Sequence, residues 1–235
     1  MIDIKKIIEK LREFNFESIF LYGSRARTDF LERSDFEIGV IFKEENYVHR
    51  RELKKVVKEK GVNVYPFRLE EIKKCSLDTP FSKKIYLREL IESAKTIGEK
   101  KIIENLEKPN IETSDLIRDV GFCLGRAFDS MLCSRLGDNI NANMFFYKSN
   151  LFGTRCLIIL ELKKFPIEFP DIVKLSKDLD IEEEYKELIE RAFEARKIGT
   201  YEEQDLFKNI TFLNQVVENK IIKEFEKERN KILLK

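Results

Sequence analysis

The sequence predicts an α+β/α protein: an N-terminal α/β domain with a small mixed sheet over residues 1–107, then an all-α helical bundle over 110–235. Three observations predict it. In the first half, short β-rich apolar runs alternate with helical periodicity. After Pro80 the strand signals stop and long helical patterns take over. Between the two lies Pro109-Asn110, a pair that breaks the chain.

Taken in order, Ile4, Ile7, Ile8 and Leu11 follow the i, i+3, i+4, i+7 spacing, so the chain opens with a helix. Ser18 to Tyr22 is a strand stopped by Gly23-Ser24, and the residues after that pair are expected to open an arginine-rich helix. Phe36 to Phe42 is the second strand. A polar helix from about Asn46 to Lys60 leads through Gly61 into a third strand, Val62 to Phe67. Phe81 to Ser93 and Lys100 to Glu107 read as helices. Beyond Pro109 the helical patterns cover about 113–136, 140–164, 181–198 and 202–234, separated by Gly137, by a loop over 165–170 (FPIEFP) and by Gly199-Thr200.

Composition excludes several classes. No apolar run of the 235 residues approaches the roughly 18–20 needed to cross a bilayer, and the opening MIDIKKIIEKLREF carries charge in every turn, unlike a secretory leader. The cytoplasm is the expected location, with no membrane partner. Charged residues make up 37% of the chain, yet 44 basic and 43 acidic side chains leave only +1, so long-range steering of nucleic acid is not implied. Dense Lys, Glu and Ile without Trp fit either thermophile usage or AT-rich coding. Cys75, Cys123, Cys133 and Cys156 form no CxxC pair and His49 is the only histidine, so a Cys/His zinc site lacks ligands; reduced core cysteines are expected.

The chemistry lies between the first two strands, in GSRARTDFLERSDFE from Gly23 to Glu37. A Gly-Ser pair leaving a strand offers backbone N–H groups and a hydroxyl suited to phosphate oxygens. Arg25 and Arg27 add phosphate-pairing charge. Asp35 and Glu37, two apart at the head of a strand, share one face by the period of two. Two carboxylates beside a phosphate cradle suit Mg²⁺, which binds one or two carboxylates and completes its shell with substrate phosphates. Each piece alone is most often a turn, a solvated face or surface charge; their joint order singles them out. Tyr65 shares a strand face with Asn63. His49 is expected to be exposed in its charged helix, and Phe145 to Tyr147 and Phe165 to Phe169 to pack a core or a dimer interface.

The run GSRAR…SDFEIGV resembles the signature of the DNA polymerase β nucleotidyltransferase superfamily, in its minimal and kanamycin-type forms, over about residues 1–107. The helix at 149–164 and FEARKIGTYEE (193–203) resemble the helical HEPN-like or substrate-binding domain that accompanies that module. The resemblance implies transfer of a nucleoside monophosphate from a nucleoside triphosphate, ATP first, to an acceptor hydroxyl, with pyrophosphate leaving. Gly23 and Ser24 would hold the β- and γ-phosphates, with Arg25 and Arg27 beside them, and Asp35 and Glu37 would ligate two Mg²⁺ ions. Relatives carry a third carboxylate in a run like VDVVP. Here the run is VNVYP, which puts Asn63 at that place, with Thr28 where Gly is common. Asp119, Asp129 and Glu161 are the helical-half carboxylates considered as substitutes. Asn63 leaves the enzyme assignment open, with a catalytically weakened nucleotide-binding or regulatory module and a toxin–antitoxin component as the alternatives. A HEPN ribonuclease is disfavoured, since its Arg-x4–6-His motif needs a histidine and none follows His49. A homodimer and an unidentified acceptor complete what the resemblance implies.

Overall fold

The computed structural model describes residues 2–233. By its contacts the chain divides into two compact units, Met1–Thr79 with Lys83–Asn110, and Pro80–Ser82 with Ile111–Lys235.

In the first unit Asp3 caps helix α1 (Ile4–Leu11), its carboxylate accepting the backbone N–H of Lys5 and Lys6. Strands β1 (Ser18–Tyr22), β2 (Phe36–Phe42), β3 (Val62–Arg68) and the short β4 (Lys95–Thr96) form one mixed sheet in the order β3-β2-β1-β4. β1 runs antiparallel to β2 and β4, whereas β2 and β3 are parallel. The β2–β3 crossover carries helix α2 (Arg50–Val56). One face buries Ile19, Leu21, Ile38, Val40 and Val64 under Ile7 and Leu11 of α1 and Leu53 of α2. The other buries Phe20, Tyr22, Ile41 and Phe67 with Ile72 of α3 (Leu69–Lys73) and Leu87, Leu90 and Ile91 of α4 (Lys83–Ser93). Covering both faces is why these strands read as continuous apolar runs without alternation.

Several elements differ from the expectation. After Gly23 there is a single 3₁₀ turn, Ser24–Ala26, and no helix, because Arg27 takes an extended backbone (φ −95°, ψ 172°). Of the expected 46–60 helix only α2 forms, preceded by a 3₁₀ turn, Glu44–Asn46. In place of a helix over 100–107 the chain makes one 3₁₀ turn, Ile103–Asn105, after β4 has joined the sheet beside β1. Helix α3 follows β3 directly.

In the second unit α5 (Thr113–Arg135) starts with a reciprocal capping box between Glu112 and Asp115. A short turn at Gly137 (φ 77°) returns the chain as α6 (Asn139–Leu162), forming a helical hairpin. The loop expected over 165–170 ends in α7 (Phe169–Ser176), whose Pro170 takes the early helical position that proline tolerates. α8 (Glu183–Ile198) stops at Gly199 (φ 85°). The expected 202–234 helix is α9 (Glu203–Thr211), a π-helical stretch Phe212–Glu218 and α10 (Asn219–Leu233). Leu213 of that stretch packs so close to α6 that a Cβ on Gly153 would lie 2.1 Å from it. Phe146 and Phe169 are core residues as expected, whereas Phe145 lines a cavity of about 210 Å³ with Phe81, Phe122 and Arg126. Cys123 and Cys156 are buried thiols, pushed far above the usual thiol range by burial; Cys75 and Cys133 are half-buried and equally unbridged. Among the described residues no helix is long and apolar enough to cross a membrane.

Candidate active site

Strand register assembles the site. Tyr22 on β1 stands opposite Glu37 on β2, and Glu37 stands opposite Asn63 on β3, so three side chains form a row across the sheet. The row lies on the α4-covered face, in phase with Phe20, Ile41 and Phe67. One period before Glu37, Asp35 is exposed, and its Oδ2 accepts a hydrogen bond from Asn63 Nδ2 at 3.1 Å. Asn63 thus sits beside both members of the carboxylate pair.

Gly23 joins the row to the turn. Its backbone (φ 69°, ψ −157°) lies in a region that is essentially glycine-only. A Cβ there would fall 1.9 Å from Glu37 Oε2, so only glycine lets the turn and the carboxylate touch. Ser24 opens the 3₁₀ turn immediately after it. Gly23, Ser24, Asp35, Glu37 and Asn63 are therefore brought together around one end of the sheet.

The two arginines are placed differently. Arg25 donates from Nε to Ser34 O (2.9 Å) and from a terminal nitrogen to Glu32 O (2.5 Å), and its guanidinium lies 4.7 Å from the Phe30 ring centre and 4.8 Å from that of Phe36. Phe36 belongs to the opposite face of the sheet from Glu37. Arg25 therefore holds the 30–34 loop from the far side. Arg27 is buried and ion-paired with Asp29 (2.9 Å) and with Glu89 of α4 (3.4 Å), tying the turn to that helix. Both guanidiniums are committed to protein partners.

Sequence reasoning did not assign Tyr22 to the row, nor Tyr86 and Arg50 to its surroundings. Tyr22 donates its hydroxyl hydrogen bond to Tyr86 of α4. Both phenols are held far above the ordinary tyrosine range, first by burial and further by nearby charge and phenol groups that include Glu37. Tyr65 packs edge-on against Tyr22, with ring centres 6.0 Å apart, and the Arg50 guanidinium lies 3.9 Å from the centre of the Tyr65 ring. The position of Tyr22 directly before Gly-Ser was a usable signal, since Glu37 was already placed on that end of the sheet. Tyr86 and Arg50 come from other elements and gave none. His49 is exposed, its ring edge-on to Tyr47.

The three carboxylates of the helical half have partners within their own unit. Asp119 is buried and accepts from the backbone N–H of Ser82 at 3.2 Å, with Arg155 at 3.9 Å. Asp129 pairs with Arg126, one turn back on α5 (3.1 Å), and Glu161 pairs with Lys220 (2.7 Å).

The donor set at the row fits magnesium. Two carboxylates, Asp35 and Glu37, meet an amide side chain, and among the described residues no cluster of three or more His, Cys, Asp or Glu could hold a metal ion. Such a set leaves most of the coordination shell to water and substrate phosphates, as magnesium prefers. The Gly23 turn against Glu37 leaves the backbone beside that carboxylate uncovered by any side chain of its own.

Residues 4–106, which contain this whole row, match the family model described as Polymerase beta, Nucleotidyltransferase. That segment, a little under half of the chain, is similar to polymerase β-type nucleotidyltransferase domains. Its mixed four-stranded sheet, followed in the chain by helices alone, is the α+β arrangement of that fold. Among solved structures the chain is similar to spectinomycin adenyltransferase AAD(9) from Enterococcus faecialis, determined with ATP and spectinomycin. The two are 16% identical with a TM-score of 0.57, over 92% of this chain and 96% of that one, a likeness of fold. No curated protein matches the chain in sequence. Gly23, Ser24, Asp35, Glu37 and Asn63 all lie inside the matched segment.

Proposed function

We propose that this protein is a magnesium-dependent nucleotidyltransferase that moves a nucleoside monophosphate from a nucleoside triphosphate, ATP first, to an acceptor, with residues 1–107 carrying the chemistry and 110–235 binding the acceptor. The contact of the Glu37 carboxylate with the Gly23 turn carries the reading, because it sets a phosphate cradle and an acidic pair against each other. Asp35 and Glu37 would hold the metal. Held there, magnesium would supply positive charge to the triphosphate and to the phosphorus under attack. Backbone N–H groups of the Gly23-Ser24 turn and the Ser24 hydroxyl bind the phosphate tail. Arg27 contributes by fixing the turn to α4, and Arg25 by fixing the following loop. Tyr22, opposite Glu37 in the strand register and hydrogen-bonded to Tyr86, bounds the acidic pair on the α4 side.

The test pairs nucleotide titration with and without Mg²⁺ against pyrophosphate release. Binding should require Mg²⁺ and be lost in Asp35→Asn and Glu37→Gln, with turnover down on the order of 10² or more. Unchanged metal-dependent binding in both variants would overturn the assignment. A second reading, a nucleotide-binding module without turnover, is favoured by one observation: Asn63 donates to Asp35 where a carboxylate would otherwise stand. Tight Mg²⁺-dependent binding with no pyrophosphate from any acceptor would select it.

A further inference from the structure

The row contains no group suited to deprotonating an acceptor hydroxyl. Asn63 is an amide and has no basic lone pair at neutral pH. Asp35 and Glu37 are assigned to the metal. The phenols of Tyr22 and Tyr86 are joined by a hydrogen bond, Tyr22 donating, on the α4 side of the row. Glu89, the remaining carboxylate near Tyr86, is engaged by the buried Arg27. The sole histidine is exposed and packs on Tyr47, which belongs to the other face of the sheet.

Next to the row lies an uncompensated cation. The Arg50 guanidinium lies against the ring of Tyr65, which is two residues from Asn63 and on the same strand face. Its Nε is buried without a hydrogen-bond partner, and among the described residues no carboxylate pairs with the side chain. Stacking occupies the face of a guanidinium and leaves its N–H groups for the in-plane fork that grips phosphate or carboxylate. The nearest uncommitted charge on this strand face is therefore a cation stacked on Tyr65.

We infer that the acceptor attacks through an oxyanion, that of a phosphate monoester or a carboxylate, and that Arg50 binds and orients it. The inference rests on the reading of Asp35 and Glu37 as the metal-holding pair. The step balances without a base. The ionised acceptor oxygen forms a bond to the α-phosphorus, the α–β anhydride bond breaks, and pyrophosphate leaves with that electron pair. The product is a mixed anhydride of the nucleoside monophosphate, and no proton is removed. A hydroxyl acceptor, whose pKa lies far above neutrality, would need the carboxylate that Asn63 lacks.

The test uses the full chain with Mg²⁺ and a non-hydrolysable ATP analogue, and measures binding of ribose 5-phosphate, gluconate and ribose by calorimetry. One or both anions should bind at least tenfold more tightly than ribose, and the two anionic arms tell phosphate from carboxylate. Arg50→Gln should weaken anion binding about tenfold, with Arg50→Lys recovering part of it. With ATP and the preferred anion, pyrophosphate release should be flat between about pH 7 and 9, because a phosphate monoester is already ionised there. Ribose binding equal to the anions, anion binding unmoved by Arg50→Gln, or a rate rising through that pH range would each overturn the inference. Should Arg50→Gln not fold, the anion-to-ribose ratio and the pH profile of the unaltered protein decide it. Loss of the inference leaves analogue binding intact, whereas failure of the analogue itself to bind sinks the site reading first.

Discussion

Gly23 shows how much one residue can decide. Its backbone region admits essentially only glycine, and the space a Cβ would fill is taken by Glu37 Oε2. Gly23→Ala should therefore cost about 1–3 kcal/mol in backbone strain and also push the carboxylate off the cradle. Denaturant titration should show the lost stability, and nucleotide titration the lost Mg²⁺-dependent affinity. Stability lost without any change in affinity would separate the turn from the site. Asn63 invites the opposite change. In Asn63→Asp the hydrogen bond to Asp35 is replaced by two adjacent carboxylates, so one of them takes up its proton more readily in the folded state. A carboxyl with a raised folded-state pKa destabilises the protein once the unfolded group ionises, so the variant should lose stability as pH rises from about 4 toward 7. Magnesium between the two charges should reverse the loss. A larger Mg²⁺-induced rise in melting temperature than in the parent protein is the expected result, together with a gain in transfer to hydroxyl acceptors, because the substitution restores a base. No change in either would mean Asn63 is a strand residue only.

At the scale of elements, the sheet's register depends on pairs that leave no slack. Phe20 lies over Gly39 across the β1–β2 pair, where a Cβ would come within 2.1 Å of its ring. Gly39→Ala should cost about 1–3 kcal/mol by overpacking, and because Phe20 adjoins Tyr22 and Phe67, the disturbance should reach the Tyr22–Glu37–Asn63 row. Denaturant titration and nucleotide affinity should fall together; a fully stable variant would show that the sheet relaxes there. In the helical unit, Arg191 of α8 grips Asp205 of α9 in a two-point bridge of 2.9 and 3.0 Å. Asp205 is buried while Arg191 is partly open to water, so solvent screens the pair and Asp205→Ala should cost about 1–3 kcal/mol, less than a fully buried pair would. Chemical denaturation of that variant measures it.

At the scale of the whole molecule, the segment before α5 lacks regular structure, and Glu107 and Lys108 are exposed in it. A glutamyl endopeptidase under native conditions should cut after Glu107 before Glu161 of α6; early cleavage at Glu161 would contradict the compactness of the second unit. Phe128, Leu132 and Leu136 recur every four residues along the end of α5 and are exposed, and Ile140 follows just after the turn. A homodimer covering this stripe is expected, and sedimentation at micromolar concentration checks it, with a monomer unaffected by Leu132→Glu as the contrary result.

What the sequence determined by itself is whatever neighbouring residues settle among themselves. Ser18–Tyr22 and Phe36–Phe42 are strands with the predicted bounds, since an apolar β-rich run between turn residues has little else to become. The same holds for the start of α1 and for the long helices of the second half, whose periodicity extends over many turns. The Gly23-Ser24 and Asp35-x-Glu37 signature was legible because a turn and a two-residue period are local geometry. Only the tertiary structure decided the rest. The short β4 exists because β1 offers it an edge, and its two residues carry no pattern of their own. Arg25 and Arg27, alike in sequence, are drawn to opposite duties by Phe36 on one side and by Asp29 and Glu89 on the other. Tyr86 and Arg50 arrive from helices, and the opposition of Tyr22, Glu37 and Asn63 depends on strand register. Register is settled by packing both faces of the sheet at once, which no single stretch of chain encodes.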